Sequence, residues 1–347
     1  MARRDQHVID ETLKAVLAMI AERFSAAEAA RLATFARCYF SEAVDEDIPE
    51  ETAANMFGAV TSLWQFARVR KPGRASIRAY NPALEEHGWH STHTVIEIVT
   101  DDMPFLVDSV VAALNQMKLR VHLLIHPIIR VQRDDKGALG AIAEPGERPV
   151  EMAAESVLHV EVTQQPTPER LAEIEQRLGE VLSKVRAAVE DWPAMMAELE
   201  AAIGELDAGH APVGEEDIAE GHAFLEWLRD NHFTFLGYRE YAFEHRGDET
   251  YAQIVEGKSF GVLREVSEES RKRHEEPLPE HFADYLERPE LFIISKAWTR
   301  SDVHRAVYMD YIGLRRFDEN GKVVGERRFL GLLTSTAYSA SPRAIPL

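Results

Sequence analysis

The sequence predicts an α+β protein built in three stretches. These are a helical N-terminal segment over residues 1–73, a strand–helix–strand–strand–helix domain over 74–206, and a mainly antiparallel domain over 218–347, with a linker at 207–217. Three observations carry this expectation. The first seventy residues keep helical spacing, with Ile9, Leu13, Val16, Leu17 and Ile20 on one stripe. The stretch 92–131 switches from the two-residue period of a strand to the helical period and back. After residue 230 the chain reads as strand after strand, broken by turn residues.

Within the helical front, the Ala-rich run after Ser25 gives a second helix and Glu50–Val69 a third, which Lys71-Pro72-Gly73 stops. Ser76–Tyr80 reads as an edge strand closed by Asn81-Pro82. Thr94, Ile96 and Ile98 alternate with His93, Val95 and Glu97, as a strand requires. Asp101 and Asp102 stand where a helix takes its N-cap, and Pro104 suits a first helical turn. Leu106, Val110, Ala113, Leu114 and Met117 form the apolar stripe of that helix. Val121, Leu123, Ile125, Ile129 and Val131 fall on one face of a long second strand. A Gly- and Pro-rich excursion at 134–149 leads to a strand at Val157–Thr163. The helix opened by Pro166-Thr167-Pro168 carries Leu171, Ile174, Leu178, Val181, Leu182 and Val185, and the chain continues helical through 192–206.

A helix at Ile218–Arg229 then precedes strands at Phe233–Phe243, Tyr251–Val255, Ser259–Leu263, Leu291–Ala297, Val303–Phe317 and Lys322–Ser335, with one helix around Pro279–Glu287. Asp318-Glu319-Asn320-Gly321 is a hairpin turn, signalled by Asn-Gly.

Composition narrows the function classes. The net charge of −20 argues against nucleic-acid binding, which needs clustered Lys and Arg. The one basic run, Arg271–His274, is followed by Glu275 and Glu276 and reads as a solvated loop. The single cysteine, Cys38, sits in a helical pattern with Phe35 and Tyr39, which suits packing, and its solitude fits a cytoplasmic protein. No apolar run approaches the ~20 residues of a membrane span. Nor does the chain carry G-x-G-x-x-G, the P-loop, paired CxxC, H-E-x-x-H or G-x-S-x-G, so no catalytic, cofactor or metal residue is assigned.

The candidate site is the turn Asp101–Asp102–Met103–Pro104–Phe105, a polar loop at a helix N-terminus where a small ligand could sit. Its aspartates either meet the ammonium of an amino acid or cap the helix. Other clusters are His122, His126 and Arg130 on one strand, and His87, His90 and His93 flanking Trp89. Each lacks the further ligands that a metal demands. Trp298–Asp302 reads as a polar loop between strands.

The order strand, Asp-x-x-Pro turn, helix, strand, strand, helix resembles ACT regulatory domains, which bind amino acids at this turn. The strings MPFLVDSVVAALNQ and VHLLIHPI, with FLEWLRDNHFTFLGYREY and FLGLLTSTAYSASPRAIP further on, resemble the N-terminal region of the large bacterial NAD-specific glutamate dehydrogenases. The resemblance runs from about Tyr39 onward. It implies an ACT-like domain, then a PAS-like or second ACT-like domain, at the front of a longer polypeptide. By the same resemblance the parent enzyme uses NAD, bound outside this segment, and this chain contributes effector sensing, self-association and contacts to the catalytic portion. Two departures bear on it. Phe105 stands where ligand-binding ACT domains carry glycine, and no strand follows the long helix, so Ser76–Tyr80 is the candidate to supply the fourth. The alternative is a free-standing sensing or adaptor protein with the same modules.

Overall fold

The structure, a computed structural model, describes residues 2–42, 52–208, 210–247, 249–265, 268–279, 290–339 and 346. The chain divides into two compact units, Met1–Leu182 and Ser183–Leu347.

The first unit opens with helices α1 (Ala2–Arg23), α2 (Ala26–Ser41) and α3 (Ala53–Ala67). Thr52 caps α3, its side chain accepting from the Asn55 amide at 3.2 Å. The strands β1 (Ser76–Tyr80), β2 (Thr94–Asp101), β3 (Val121–Ile125), β4 (Ile128–Arg133), β5 (Leu139–Ile142) and β6 (Ala153–Val162) make an antiparallel sheet in the order β1-β2-β6-β4-β5, with β3 also on β6. Helices α4 (Leu84–His87) and α5 (Leu106–Gln116) belong to this unit, and α6 (Pro168–Glu190) begins in it and continues past the boundary at Leu182. Ser76–Tyr80 does pair with β2, antiparallel from Ser76↔Val99 to Tyr80↔Val95. It thereby supplies the strand that the long helix lacks after it.

The expected long strand after α5 breaks at His126-Pro127. Proline has no N–H to give a ladder, and the Pro127 carbonyl instead accepts from the Val157 amide at 3.0 Å. The two halves run along one side of β6, with β3 on residues 159–162 and β4 on 153–156. Parity survives the break, so Ile125, Ile129 and Val131 all remain buried on one face. That face joins Val99 and Val157 to Val16, Ile20, Leu32, Phe35, Val60, Leu63 and Trp64 of the N-terminal helices in one core. At about 1.5–3 kcal/mol for each fully buried large apolar side chain, this core makes the helical front part of the sheet domain. The opposite stripe (Ile96, Ile98, Leu158 and Val160 from the strands, Val110 and Leu114 from α5, Ile174 and Leu178 from α6) is also fully buried.

The second unit holds α7 (Trp192–Asp207), α8 (Glu215–Trp227), a π-helical turn at Leu228–His232, and strands β7 (Phe233–Arg246) and β8 (Glu249–Gly261). It continues with α9 (Glu268–Glu275), β9 (Phe292–Arg300), β10 (Tyr308–Phe317), β11 (Val323–Leu333) and α10 (Ser335–Ser339). Its strands are all antiparallel, in the order β8-β7-β11-β10-β9. Asn320-Gly321 does turn the β10–β11 hairpin, with Gly321 at φ 77° and Asp318 Oδ1 accepting from the Asn320 and Lys322 amides.

Several local expectations are corrected. The two strands at 251–263 are one strand, β8, with a bulge around Gly257 at φ 72°, a conformation that suits glycine. Trp298, Thr299 and Arg300 belong to β9 rather than to a loop, and Arg271–His274 lies in α9. The strand expected from Val303 begins at Tyr308. Apart from Pro279, the helix expected around Pro279–Glu287 lies outside the described residues.

Boundaries differ too. Met195, Leu199, Ala202, Ile203 and Leu206 of α7 share a core with Phe224, Phe235, Tyr238 and Phe329, so α7 sits with the second unit although the sequence reading grouped it with the first. Residues 207–217 are then a connection inside that unit.

Candidate functional site

The Asp101–Phe105 turn joins the end of β2 to α5. The N-cap position falls on Phe105, and Pro104 precedes the helix instead of opening it. The expectation that Asp101 or Asp102 occupies the cap is therefore corrected. Both carboxylates reach elsewhere: Asp101 Oδ1 accepts from Arg70 Nη2 at 2.6 Å, and Asp102 Oδ1 from the Ser156 hydroxyl at 2.7 Å. The Asp102 amide donates to the Ala154 carbonyl at 3.0 Å. Met103 and Phe105 are half-buried and Pro104 exposed. Phe105 holds φ 71°, ψ 0°, a left-handed conformation costing roughly 1–2 kcal/mol for a residue with a Cβ. The backbone thus keeps the glycine-like shape that the resemblance implies, while a ring occupies the position.

Arg70 places this turn in a buried charge network. Arg70 reaches Glu155 Oε1 through Nε at 3.1 Å and Nη2 at 2.8 Å. Arg133 grips both oxygens of the same carboxylate at 2.7 and 2.8 Å. Arg133 also donates to the carbonyls of Ala67 and Gly137. Burial works against the charge on Arg70, but Glu155 and Asp101 outweigh it and hold the guanidinium above its ordinary pKa. The sequence offered no sign of this, since the members are 85 and 22 residues apart.

Asp102, Ser156 and His126 form a chain of contacts, with His126 Nε2 2.9 Å from the Ser156 hydroxyl. Because that hydroxyl donates to Asp102, its oxygen accepts from His126 Nε2–H. Burial pushes the His126 imidazole below its usual pKa, against Asp102 and Glu42. Here the serine lies in the middle, donating to Asp102 and accepting from His126, so the imidazole is not its proton acceptor, the reverse of a nucleophilic triad. The other sequence candidates disperse. His122 stacks on His93 at 4.3 Å, and His93 Nδ1 lies 2.9 Å from Glu161. His87 sits against Tyr80, and His90 exchanges backbone hydrogen bonds with the Asn55 side chain. Arg130 reaches the Met152 carbonyl. Among the described residues no group of three or more His, Cys, Asp or Glu could hold a metal. Trp298 is almost wholly exposed, Arg300 lies over the Tyr308 ring, and Asp302 pairs with Lys184 at 2.6 Å.

Sequence reasoning also missed a polar cluster inside the sheet. Glu97, fully buried on β2, accepts from Arg78 Nε at 2.5 Å and from the Tyr80 hydroxyl at 3.0 Å. Burial raises its pKa, opposed by Arg78 and by His159 across the ladder. The only signal was Glu97 inside an otherwise apolar strand.

Cys38 is buried with its Sγ 3.7 Å from the Ala143 carbonyl, and burial, then Glu144, push the thiol up to about 11. A thiolate is the reactive form. Iodoacetamide at neutral pH should therefore label the native chain slowly and the denatured chain quickly. Equal rates would place Cys38 in contact with solvent.

Comparison with known proteins agrees with this framework. Residues 35–178 match the ACT1 domain of glutamate dehydrogenase. The match begins in α2 and ends in α6, so it includes helices that the sequence reading set apart from the sheet domain. The chain is 38% identical over 340 residues to an NAD-specific glutamate dehydrogenase of Halomonas elongata, covering 97% of this chain and 21% of that protein. Against the enzyme of the same name from Pseudomonas aeruginosa it is 33% identical over 312 residues, 90% of this chain and 19% of the relative. A third, from Mycobacterium tuberculosis, is 27% identical over 295 residues, 82% of this chain and 16% of the relative. The chain spans about a fifth of the length of the first two. No helix among the described residues is long and apolar enough to cross a membrane. In sequence the chain is a relative of one segment of the NAD-specific glutamate dehydrogenases, with their ACT1 domain at residues 35–178.

Proposed function

We propose that this chain is a non-catalytic regulatory and assembly segment of a large NAD-dependent glutamate dehydrogenase. The parent enzyme would convert L-glutamate and NAD to 2-oxoglutarate, ammonia and NADH, with NAD held outside this segment. The observation that carries this reading is the coverage: nearly the whole chain aligns, but with only a fifth of each of the first two relatives described above. A chain lacking any glycine-rich dinucleotide turn supports it. The purified chain should neither reduce NAD in the presence of glutamate nor give a saturable NAD binding signal. Glutamate-dependent NADH formation that survives removal of contaminating enzyme would overturn the proposal.

The assembly role rests on a sheet edge. β9 is an outer strand of the second sheet and exposes Ile294 and Trp298, and an edge strand is a template for pairing. Sedimentation should show self-association at micromolar concentration, and a strict monomer would refute it for this segment. Amino-acid sensing at Asp101–Phe105 is the weaker part of the regulatory reading. Arg70 and Ser156 already engage the two aspartates, and the Phe105 ring fills a position where ligand-binding relatives would leave room.

A further inference from the structure

The second unit carries a cavity of about 320 Å³ on the side of its sheet away from α7. Tyr238, Glu240 and Arg327 face α7, where they meet Glu198 and Glu205. Alternation along β7 and β11 then sends Tyr241, Phe243, Glu326 and Arg328 to the other face, and all four line the cavity. Phe243, Ala252, Pro277 and Leu278 make its walls apolar.

Arg328 is the cationic end of this space, and its guanidinium is held in place before any ligand arrives. Nε donates to Glu326 Oε1 at 3.2 Å and Nη1 to the Tyr241 hydroxyl at 3.0 Å. The group lies over the Tyr241 ring at 4.3 Å and the Tyr311 ring at 5.0 Å. Among the described residues Nη2 makes no hydrogen bond within 3.5 Å, although the Tyr311 hydroxyl also acts on the guanidinium, and the side chain is 32% exposed. Glu326, only 7% exposed, accepts from Arg328 and from the Tyr311 hydroxyl, both at Oε1. The free guanidinium edge can therefore meet another oxyanion. A volume near the lower end of the range for small-ligand sites suits a compact molecule.

We infer that this cavity binds a small carboxylate with a short apolar body, its carboxylate on Arg328 and its hydrocarbon against Phe243, Ala252 and Leu278. Glu276, exposed at the cavity, adds a partner for an ammonium group. The class therefore includes apolar amino acids as well as plain carboxylic acids. The site is built from residues of the second unit alone. Its failure would leave the regulatory reading standing.

Calorimetric titration of the full chain with 4-methylpentanoate, leucine and 4-methylpentanol tests this. At least one carboxylate should bind saturably and about tenfold or more tighter than the alcohol. Binding of both carboxylates rests recognition on Arg328 alone, and binding of leucine only adds Glu276. Ala252→Leu, which fills the cavity without touching the charges, should abolish binding, and Arg328→Gln should remove the preference over the alcohol. If Arg328→Gln does not fold, Ala252→Leu decides. No saturable binding of either carboxylate, equal affinity for the alcohol, or binding that survives Ala252→Leu would each overturn the inference.

Discussion

Replacing Glu155 with Gln should destabilise the first unit by about 3–5 kcal/mol, the cost of breaking a buried ion pair. Glu155 is 1% exposed, and its partners Arg70 and Arg133 are 5% and 9% exposed. Four guanidinium hydrogen bonds converge on its two oxygens. A glutamine of the same shape offers one acceptor and turns an NH2 group toward donors, leaving two buried cations with less counter-charge. Asp101 keeps part of Arg70 neutralised, which places Asp101→Asn well below Glu155→Gln in effect. Urea titration gives the comparison directly. A loss under about 1 kcal/mol, the scale of an exposed pair, would show the network to be solvated. The consequence reaches the candidate turn, because Arg70 ties Asp101 to β6 through that same carboxylate.

A second large effect is expected in the other unit. Arg327→Met should cost about 3–5 kcal/mol and loosen α7 from the sheet. Arg327 reaches Glu198 at 3.0 Å and Glu205 at 2.9 Å, both on α7. Glu240 lies 3.8 Å away, and the Tyr238 hydroxyl is within reach of Glu198 and Glu240. Arg316 and Lys258 also meet these acids, at 2.6 Å from Glu240 and 2.5 Å from Glu198. They do not replace Arg327, the cation beside both α7 glutamates and Tyr238. Amide hydrogen exchange should speed up along α7 in the variant, while the first unit keeps its protection. If α7 stays protected and the melt is unchanged, the apolar contacts of Met195, Leu199 and Leu206 alone hold the helix.

Both networks show where sequence reading stops. The alternation of Thr94–Ile98, the stripe from Leu106 to Met117 and the Asn320-Gly321 turn are local patterns. The described elements follow them to within a few residues. Arg70, Glu155 and Arg133 carry no local pattern, since nothing in a row of charges says which will meet inside a core. For α7 the period marks an amphipathic helix, but periodicity records that a face is apolar, not which sheet it covers.

The turn at Asp101–Phe105 was found by sequence, yet its chemistry was not. Helix start signals placed two aspartates at a cap. The chain instead runs past Pro104 and starts α5 after a left-handed Phe105, with Asp101 paired to Arg70 and the exposed Asp102 hydrogen-bonded to Ser156. The cavity beside Arg328 had no sequence signature, since its lining comes from β7, β8, β11, the end of α9 and the segment after it.

What the sequence determined by itself is what short-range physics controls: helix and strand periods, the hairpin turn, the acidic charge, and the run of strings shared with glutamate dehydrogenases. Tertiary structure alone decided which helices cover which sheet, which carboxylates are buried against arginine, and where a guanidinium edge is left facing open space. Those outcomes depend on long-range pairing of buried charge and apolar surface, whose energies exist only once distant segments meet and water is excluded.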